Sequence, residues 1–142
     1  MRIPMKVDYG VRALVDLALH SSDAPIQTAE IAARQSIPEP YLEQLLPTLS
    51  KFGFIRSRRG PRGGHALARP ASEISIDAVY EILEGTSHML DCLEHPEGCS
   101  LSSVCGQRHM WGFVEQAIRV VLRETTLAEL ASEQRKLVVL AT

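Results

Sequence analysis

Apolar residues recur along the chain with a helical period in most stretches and with short extended runs in one. Between residues 9 and 20, Val11, Leu14, Val15, Leu17 and Ala18 fall mostly three or four apart, which predicts a first helix closed by Ser21-Ser22-Asp23-Ala24-Pro25. Thr28 stands where it would cap a short second helix over 29–34, with Glu30 in the first turn favouring the helix dipole. Gln35 and Ser36 leave room only for a tight connection to a third helix over about 38–51. Ser36 and Glu39 have capping-box spacing, Pro38 and Pro40 are tolerated in a first turn, and Leu42, Leu45, Leu46 and Leu49 keep one apolar face. Pro47 removes a backbone donor from the interior of that helix at a cost of about 3 kcal/mol. It predicts a kink there rather than a helix end, with Gly53 as a left-handed cap.

The period then shortens. Residues 54–58 read as a strand, 59–64 as a tight loop and 65–68 as the returning strand of a hairpin. Ser75 would cap a helix over 76–84 ended by Gly85. Residues 86–105 hold Pro96, Gly98 and many polar side chains and read as a loop. A long amphipathic helix over about 107–124 follows, with Trp111, Val114, Ile118, Val121 and Leu122 lining one face. Thr126 and Glu129 have capping-box spacing for a short last helix, and 137–140 is an apolar tail without an assigned role.

The 142 residues suffice for one ordinary domain with an appended helix. The pattern divides them into a helical and hairpin unit over 1–85, a loop over 86–106 and a terminal helical segment over 107–142. The composition is 45% hydrophobic and only 5% aromatic, so the core is aliphatic. No apolar run approaches the roughly 20 residues that span a bilayer, and the opening residues lack a signal-peptide pattern, so a cytoplasmic protein is expected. The net charge of -2 conceals an asymmetry. Residues 1–69 carry ten lysines and arginines against six acidic residues, and residues 70–142 carry five against eleven. Lys51, Arg56, Arg58, Arg59, Arg62 and Arg69 fall within nineteen residues that contain no acid. Such a concentration points to a nucleic-acid partner for the first half.

Helix, short helix, tight turn, longer helix and basic hairpin, in that order, outline a winged helix-turn-helix; the fold class expected is mainly α with a two-stranded wing. A helix about 10–12 Å across fits the major groove of double-stranded DNA. On the third helix Tyr41, Glu43 and Gln44 face away from the leucines; Glu43 suits a cytosine amino group and Gln44 an adenine edge. Arg56, Arg58, Arg59 and Arg62 on the hairpin suit phosphates and the minor groove, while Gly63 and Gly64 allow a close turn and backbone approach.

The chain's three cysteines, Cys92, Cys99 and Cys105, lie within fourteen residues. Thiolates are soft ligands for zinc and iron–sulfur clusters. The spacing, six residues and then five between cysteines, differs from the Cys-x-x-Cys pairs of zinc ribbons. Three thiolates leave a cluster one ligand short, so a non-thiolate donor is required. No nucleophile-and-base pair, phosphate loop or paired-histidine metal motif is present, and an enzyme with a small-molecule substrate is not expected.

Tyr41-Leu42-Glu43-Gln44-Leu45-Leu46, Lys51-x-Gly53, Arg59-Gly60-Pro61-x-Gly63-Gly64 and Leu67 together resemble the IscR/NsrR family of bacterial transcription regulators. Met1-Arg2-Ile3, the run from Asp8 to Ala13, the three cysteines, Trp111 and the run from Thr126 to Leu130 extend the resemblance over nearly the whole chain. It implies a homodimer paired through its long C-terminal helices, reading a pseudo-palindromic operator, with an iron–sulfur cluster (2Fe-2S or 4Fe-4S) that sets DNA affinity. It also implies that Glu43 contributes to sequence discrimination and that Arg59 enters the minor groove. One branch of the family takes its fourth cluster ligand from a histidine three residues after the last cysteine; that position is Arg108 here, and His109 is one residue late. Another branch uses an N-terminal aspartate of the other subunit, which matches Asp8, with Arg12 one turn on to orient it. Asp8 is the favoured candidate, ahead of His109 and of His88 and His95, and its alternative role is a helix cap. A cluster-free or thiol-redox regulator of the same fold, or an interaction protein that controls a metabolic enzyme, are the competing readings.

Overall fold

A computed structural model describes residues 2–20 and 24–142. Among these residues seven α-helices and one hairpin follow in the order α1 (Met5–Leu19), α2 (Thr28–Gln35), α3 (Glu39–Lys51), β1 (Ile55–Arg58), β2 (Gly64–Leu67), α4 (Ile76–Glu84), α5 (Asp91–Glu94), α6 (Gly106–Glu124) and α7 (Leu127–Ala141). The fold is the expected one, mainly helical with a two-stranded antiparallel wing. The first helix begins one turn earlier than its apolar period suggests, because Pro4 can occupy the N-cap without needing a donor. Ser21, Ser22 and Asp23, expected to close it, lie outside the described residues.

Aliphatic residues of α1, α2 and α3 form the centre of the core: Leu14, Leu17, Ile31, Leu42, Leu46 and Leu49 are almost wholly excluded from solvent. Their burial is the main favourable term holding these helices together. Inside that apolar layer sits one carboxylate, Asp16, with no exposed surface. It accepts from Arg34 Nε at 2.9 Å, Arg34 Nη2 at 2.8 Å and Gln35 Nε2 at 3.0 Å, so both oxygens are satisfied and α1 is bolted to α2. The same hydrogen bonds and charge raise the Arg34 pKa above its ordinary value.

Two expected caps are corrected. Ser36 does not open α3; it is the left-handed residue that closes α2 (φ 52°), and the N–H of Ile37 returns to the carbonyl of Ala32 at 3.0 Å. Pro38 opens α3 instead, without a side-chain cap. Thr28 likewise leaves the capping position to Gln27 and turns its hydroxyl to the wing. Helix α3 continues unbroken through Pro47. Gly53 adopts φ 79° beyond its end, where the N–H groups of Gly53 and Phe54 close on Ser50 and Leu49, as the sequence predicted.

The C-terminal third departs further from expectation. Residues 86–105 are not a plain loop, since they contain α5 and a 3-10 turn over Pro96–Gly98. Helix α7 is not short: it runs for 15 residues, and residues 137–140 are its last turns rather than a tail. Its start is fixed by a capping box, Thr126 Oγ1 accepting from the Glu129 N–H at 3.2 Å and the Thr126 N–H donating to Glu129 Oε2 at 2.7 Å. Leu127 and Ala131 then enter the same core as α1, so α7 folds back onto the N-terminal helices. Among the described residues no helix is long and apolar enough to cross a membrane.

Candidate nucleic-acid interface and thiol loop

The wing is built on close backbone approach. In the hairpin Ile55 faces Leu67, Arg56 faces Ala66, Ser57 faces His65 and Arg58 faces Gly64. A Cβ on Gly63 would strike the Arg58 carbonyl, and one on Gly64 (φ 144°) would lie 2.6 Å from the backbone of Ile26. Gly63 is therefore required by the turn itself, and Gly64 by the approach of Ile26. The free edge of β2 is in turn covered by Ile26, whose N–H donates to the His65 carbonyl at 2.9 Å while the His65 N–H donates to Ile26 at 2.7 Å.

Of the six basic residues in this region, two are spent on aromatic faces: Arg69 lies 4.5 Å from the Phe54 ring centre and Lys51 5.7 Å from that of Phe52. Arg56, Arg58, Arg59 and Arg62 are exposed, and among the described residues none has a carboxylate partner. Four unopposed guanidinium groups on one hairpin make an electropositive edge suited to phosphate. Glu43 and Gln44 are exposed on α3, and Glu43 shares a groove with Lys51, Ser57, Arg58, Arg59 and His65. Tyr41 behaves differently from its neighbours: its ring packs edge-on against Tyr9 of α1, centres 5.2 Å apart, so only part of it is available to a ligand.

Sequence reading missed His65. Its Nε2 lies 2.9 Å from Thr28 Oγ1 and its Nδ1 2.8 Å from Ser57 Oγ, and burial pushes its pKa below the ordinary 6.5. A histidine directly after two wing glycines was the available signal, but nothing in the sequence indicates its two partners.

The cysteines lie on the opposite part of the chain. All three are free; Cys99 is exposed, and Cys92 and Cys105 are half-buried. Cys105 stands at the N-cap of α6 without a side-chain cap bond. Two residues of α6 fasten their loop to that helix. Arg108 Nε donates to the Cys92 carbonyl at 3.1 Å, and the half-enclosed Glu115 takes His88 Nδ1 at 2.6 Å and the Met89 N–H at 3.0 Å. His88 is thereby occupied, while the His95 ring lies beside the exposed Glu94 and Glu97, and His109 is exposed on α6. Asp8 lies in the first turn of α1 but is not its cap. Its carboxylate is gripped by Arg12 through Nε–Oδ1 at 3.1 Å and Nη2–Oδ2 at 2.8 Å, the orienting contact expected from the spacing. Among the described residues no three His, Cys, Asp or Glu side chains converge on a preformed metal site. The donors fit a thiophilic metal in kind, three free thiols on one accessible loop, without being gathered into a cage.

Helix α6 buries no residue completely. Its apolar arc is wider than the single stripe read from the sequence. Trp111, Val114, Ile118 and Leu122 are half-buried, on the side of α6 that lies against its own chain, where α4 and α5 pack. Met110, Phe113, Val120 and Val121 form an adjoining face that stays open, with Phe113 71% exposed and Val121 64%.

A basic wing beside the exposed face of α3, on a helix-turn-helix core, is the arrangement of a DNA-binding transcription regulator. The family model described as "Iron-dependent Transcriptional regulator" matches residues 3–133, and the chain belongs to that family, Rrf2. It is 40% identical over 139 residues to the HTH-type transcriptional regulator IscR of Serratia proteamaculans, covering 98% of this chain and 84% of that one. Its fold is similar to that of IscR from T. potens, with a TM-score of 0.77 and 33% identity over 94% of this chain and 88% of the other. It is equally similar, with a TM-score of 0.77 and 29% identity, to CymR, the global cysteine regulator of B. subtilis, over 94% and 98% of the two chains.

Proposed function

We propose that this regulator works in the cytoplasm as a homodimer on a pseudo-palindromic operator, and that an iron–sulfur cluster on Cys92, Cys99 and Cys105 sets its DNA affinity. The observation that carries the proposal is mechanical: the thiol-bearing loop is tied to α6 by Arg108 and Glu115, and α6 presents an uncovered apolar face. Tightening that loop around a ligand therefore acts on the helix that a second copy would cover. A bound cluster supplies iron that reacts with oxidants and nitric oxide. The chain's own part is to hold it with three thiolates and to complete the ligand set with the carboxylate of Asp8 from the second copy, oriented by Arg12. Arg56, Arg58, Arg59 and Arg62 take phosphates and the minor groove, and Glu43 and Gln44, flanked by Tyr41, read base edges. Gly63 and Gly64 bring the wing backbone close enough for those contacts.

The test is anaerobic spectroscopy of the purified protein, combined with operator titration before and after cluster removal. Visible absorbance should disappear with Cys→Ser at any of the three positions, and operator affinity should change when the cluster is removed. Colourless protein carrying stoichiometric zinc, or identical affinity with and without cluster, overturns the reading. A second reading, a cluster-free thiol switch, draws on the ungathered and accessible state of the three thiols; oxidant-dependent DNA binding in colourless protein would establish it.

A further inference from the structure

His65 joins three separate segments of the DNA-reading head. Its backbone pairs in both directions with Ile26, the segment leading into α2. Its ring meets Thr28 on the first turn of α2 through Nε2 and Ser57 on β1 through Nδ1. Gly64 beside it permits the approach, since any side chain there would collide with Ile26.

A two-stranded hairpin is at best marginally stable alone, so its orientation must come from what it docks on. Here Ile55 in the core and Leu67 against it seat the hairpin, and the polar docking consists of the pairing with Ile26, the ring bond to Thr28 and one weaker contact, Gln27 Nε2 to the Pro61 carbonyl at 3.3 Å. His65 lines the groove that Glu43 from α3 and Arg58 and Arg59 from the wing also line. The Thr28 bond of His65, at 2.9 Å, is the shorter of these two side-chain links between the wing and α2, and the Ser57 bond ties the same ring to β1.

We propose that His65 is the positioning residue of the DNA interface. By clamping β2 to Thr28 it fixes the distance between the wing arginines and the base-reading face of α3, so that both engage one duplex together. The proposal rests on the wing's role in DNA binding. It adds that the wing's contribution depends on a histidine clamp rather than on the arginines alone. The ring itself need touch neither phosphate nor base. With the clamp released, Arg59 still carries its charge but no longer arrives at a fixed place.

The experiment uses the full chain and a duplex selected from a random library against the wild-type protein. His65→Phe keeps a ring and loses both bonds; it should weaken binding to the selected duplex roughly tenfold while the secondary structure and thermal midpoint stay close to wild type. His65→Gln, whose amide nitrogen can reach the position of Nε2, should recover most of that affinity through Thr28. In the His65→Phe background, Arg59→Ala should cost little more, although alone it weakens binding, because both changes remove the same contact. Additive losses overturn the proposal and leave the wing's role in DNA binding intact. Wild-type affinity for Arg59→Ala overturns the wing's role itself, and this proposal with it. Should His65→Phe fail to fold, the double variant Thr28→Val/Ser57→Ala removes the ring's partners instead; the same loss supports the clamp, and wild-type affinity overturns it.

Discussion

Arg34 of α2 closes on the fully buried carboxylate of Asp16 of α1 with two hydrogen bonds, 2.9 and 2.8 Å long. The pair fixes the first helix of the turn motif to the helix behind it, and so sets the platform on which α3 is presented. Its two members are unequal, since Asp16 has no exposed surface whereas the Arg34 side chain is 35% exposed.

That inequality decides what Arg34→Ala does. Among the described residues, removing the cation leaves the buried carboxylate with Gln35 and the half-exposed His20 near it. A loss of about 3 kcal/mol is expected, the lower end of the range for breaking a buried pair. Arg12→Ala also breaks a two-bond pair, with Asp8, but both of those partners are more than 40% exposed, and less than about 1 kcal/mol should follow. Urea denaturation of the two variants side by side checks the ranking.

The pH dependence of the wing follows from His65. Burial places its folded pKa below the 6.5 it has when free. Above 6.5 the ring is neutral in both states and its contribution is fully present. As the pH falls below 6.5 the unfolded chain binds a proton more readily than the folded one, and stability declines until the folded pKa is passed. The protection of the Ile26 and His65 amides, taken as the intrinsic exchange rate divided by the observed rate at each pH, should therefore fall as the pH is lowered through 6.5, and His65→Gln should flatten the difference.

Much of this architecture was legible before any coordinates. The leucines of α3 at 42, 45, 46 and 49 all face the core, and the glycine–arginine run produces the wing. What was missed has a common cause. Asp16, His65 and Glu115 each act on residues distant in sequence (Arg34, Thr28 and His88), and periodicity carries no information about such pairings. Thr28 and Ser36 were misassigned because a hydroxyl near a helix start has more than one use: one turned to the wing, and the other took the left-handed position that ends α2. The length of α7 was underestimated because its last turns are apolar on every side, which leaves no amphipathic signature to follow.

The DNA surface divides into two kinds of contact with different signatures. Arg59 is exposed on the wing without a carboxylate partner, so Arg59→Ala should weaken binding to all duplexes and lower the salt slope by about one. Glu43 lies on the exposed face of α3, and Glu43→Ala should shift the ranking among duplexes while leaving non-specific affinity nearly unchanged. Titration of a matched and a scrambled duplex at several salt concentrations separates the two outcomes.

For the fourth ligand, the geometry around Asp8 and His109 gives opposite expectations. Asp8 is held in a fixed orientation by Arg12, whose Nη1 is itself anchored on the Gln35 carbonyl at 3.2 Å. His109 is exposed on α6. Asp8→Ala should therefore change the visible spectrum or shorten the lifetime of a reconstituted cluster more than His109→Ala does. The reverse order transfers the role to His109.

The proposed dimer rests on the open face of α6, where Met110, Phe113, Val120 and Val121 lie within one side of the helix and stay exposed in a single chain. A surface helix ordinarily buries its apolar side, and the half of the arc holding Trp111 and Ile118 already does so against its own chain. The remaining half requires a second surface, and an identical helix supplies one by symmetry. Phe113→Glu puts a charge at the centre of that contact while touching no core residue of the winged unit. Light scattering at micromolar concentration should show wild-type dimers and variant monomers with unchanged helical content. Because a monomer engages only one half-site, the variant should also lose most of its preference for a two-half-site duplex over a single half-site. A wild-type monomer, or a Phe113→Glu dimer, would remove α6 from the interface and with it the route by which the thiol loop reaches the second DNA-reading head.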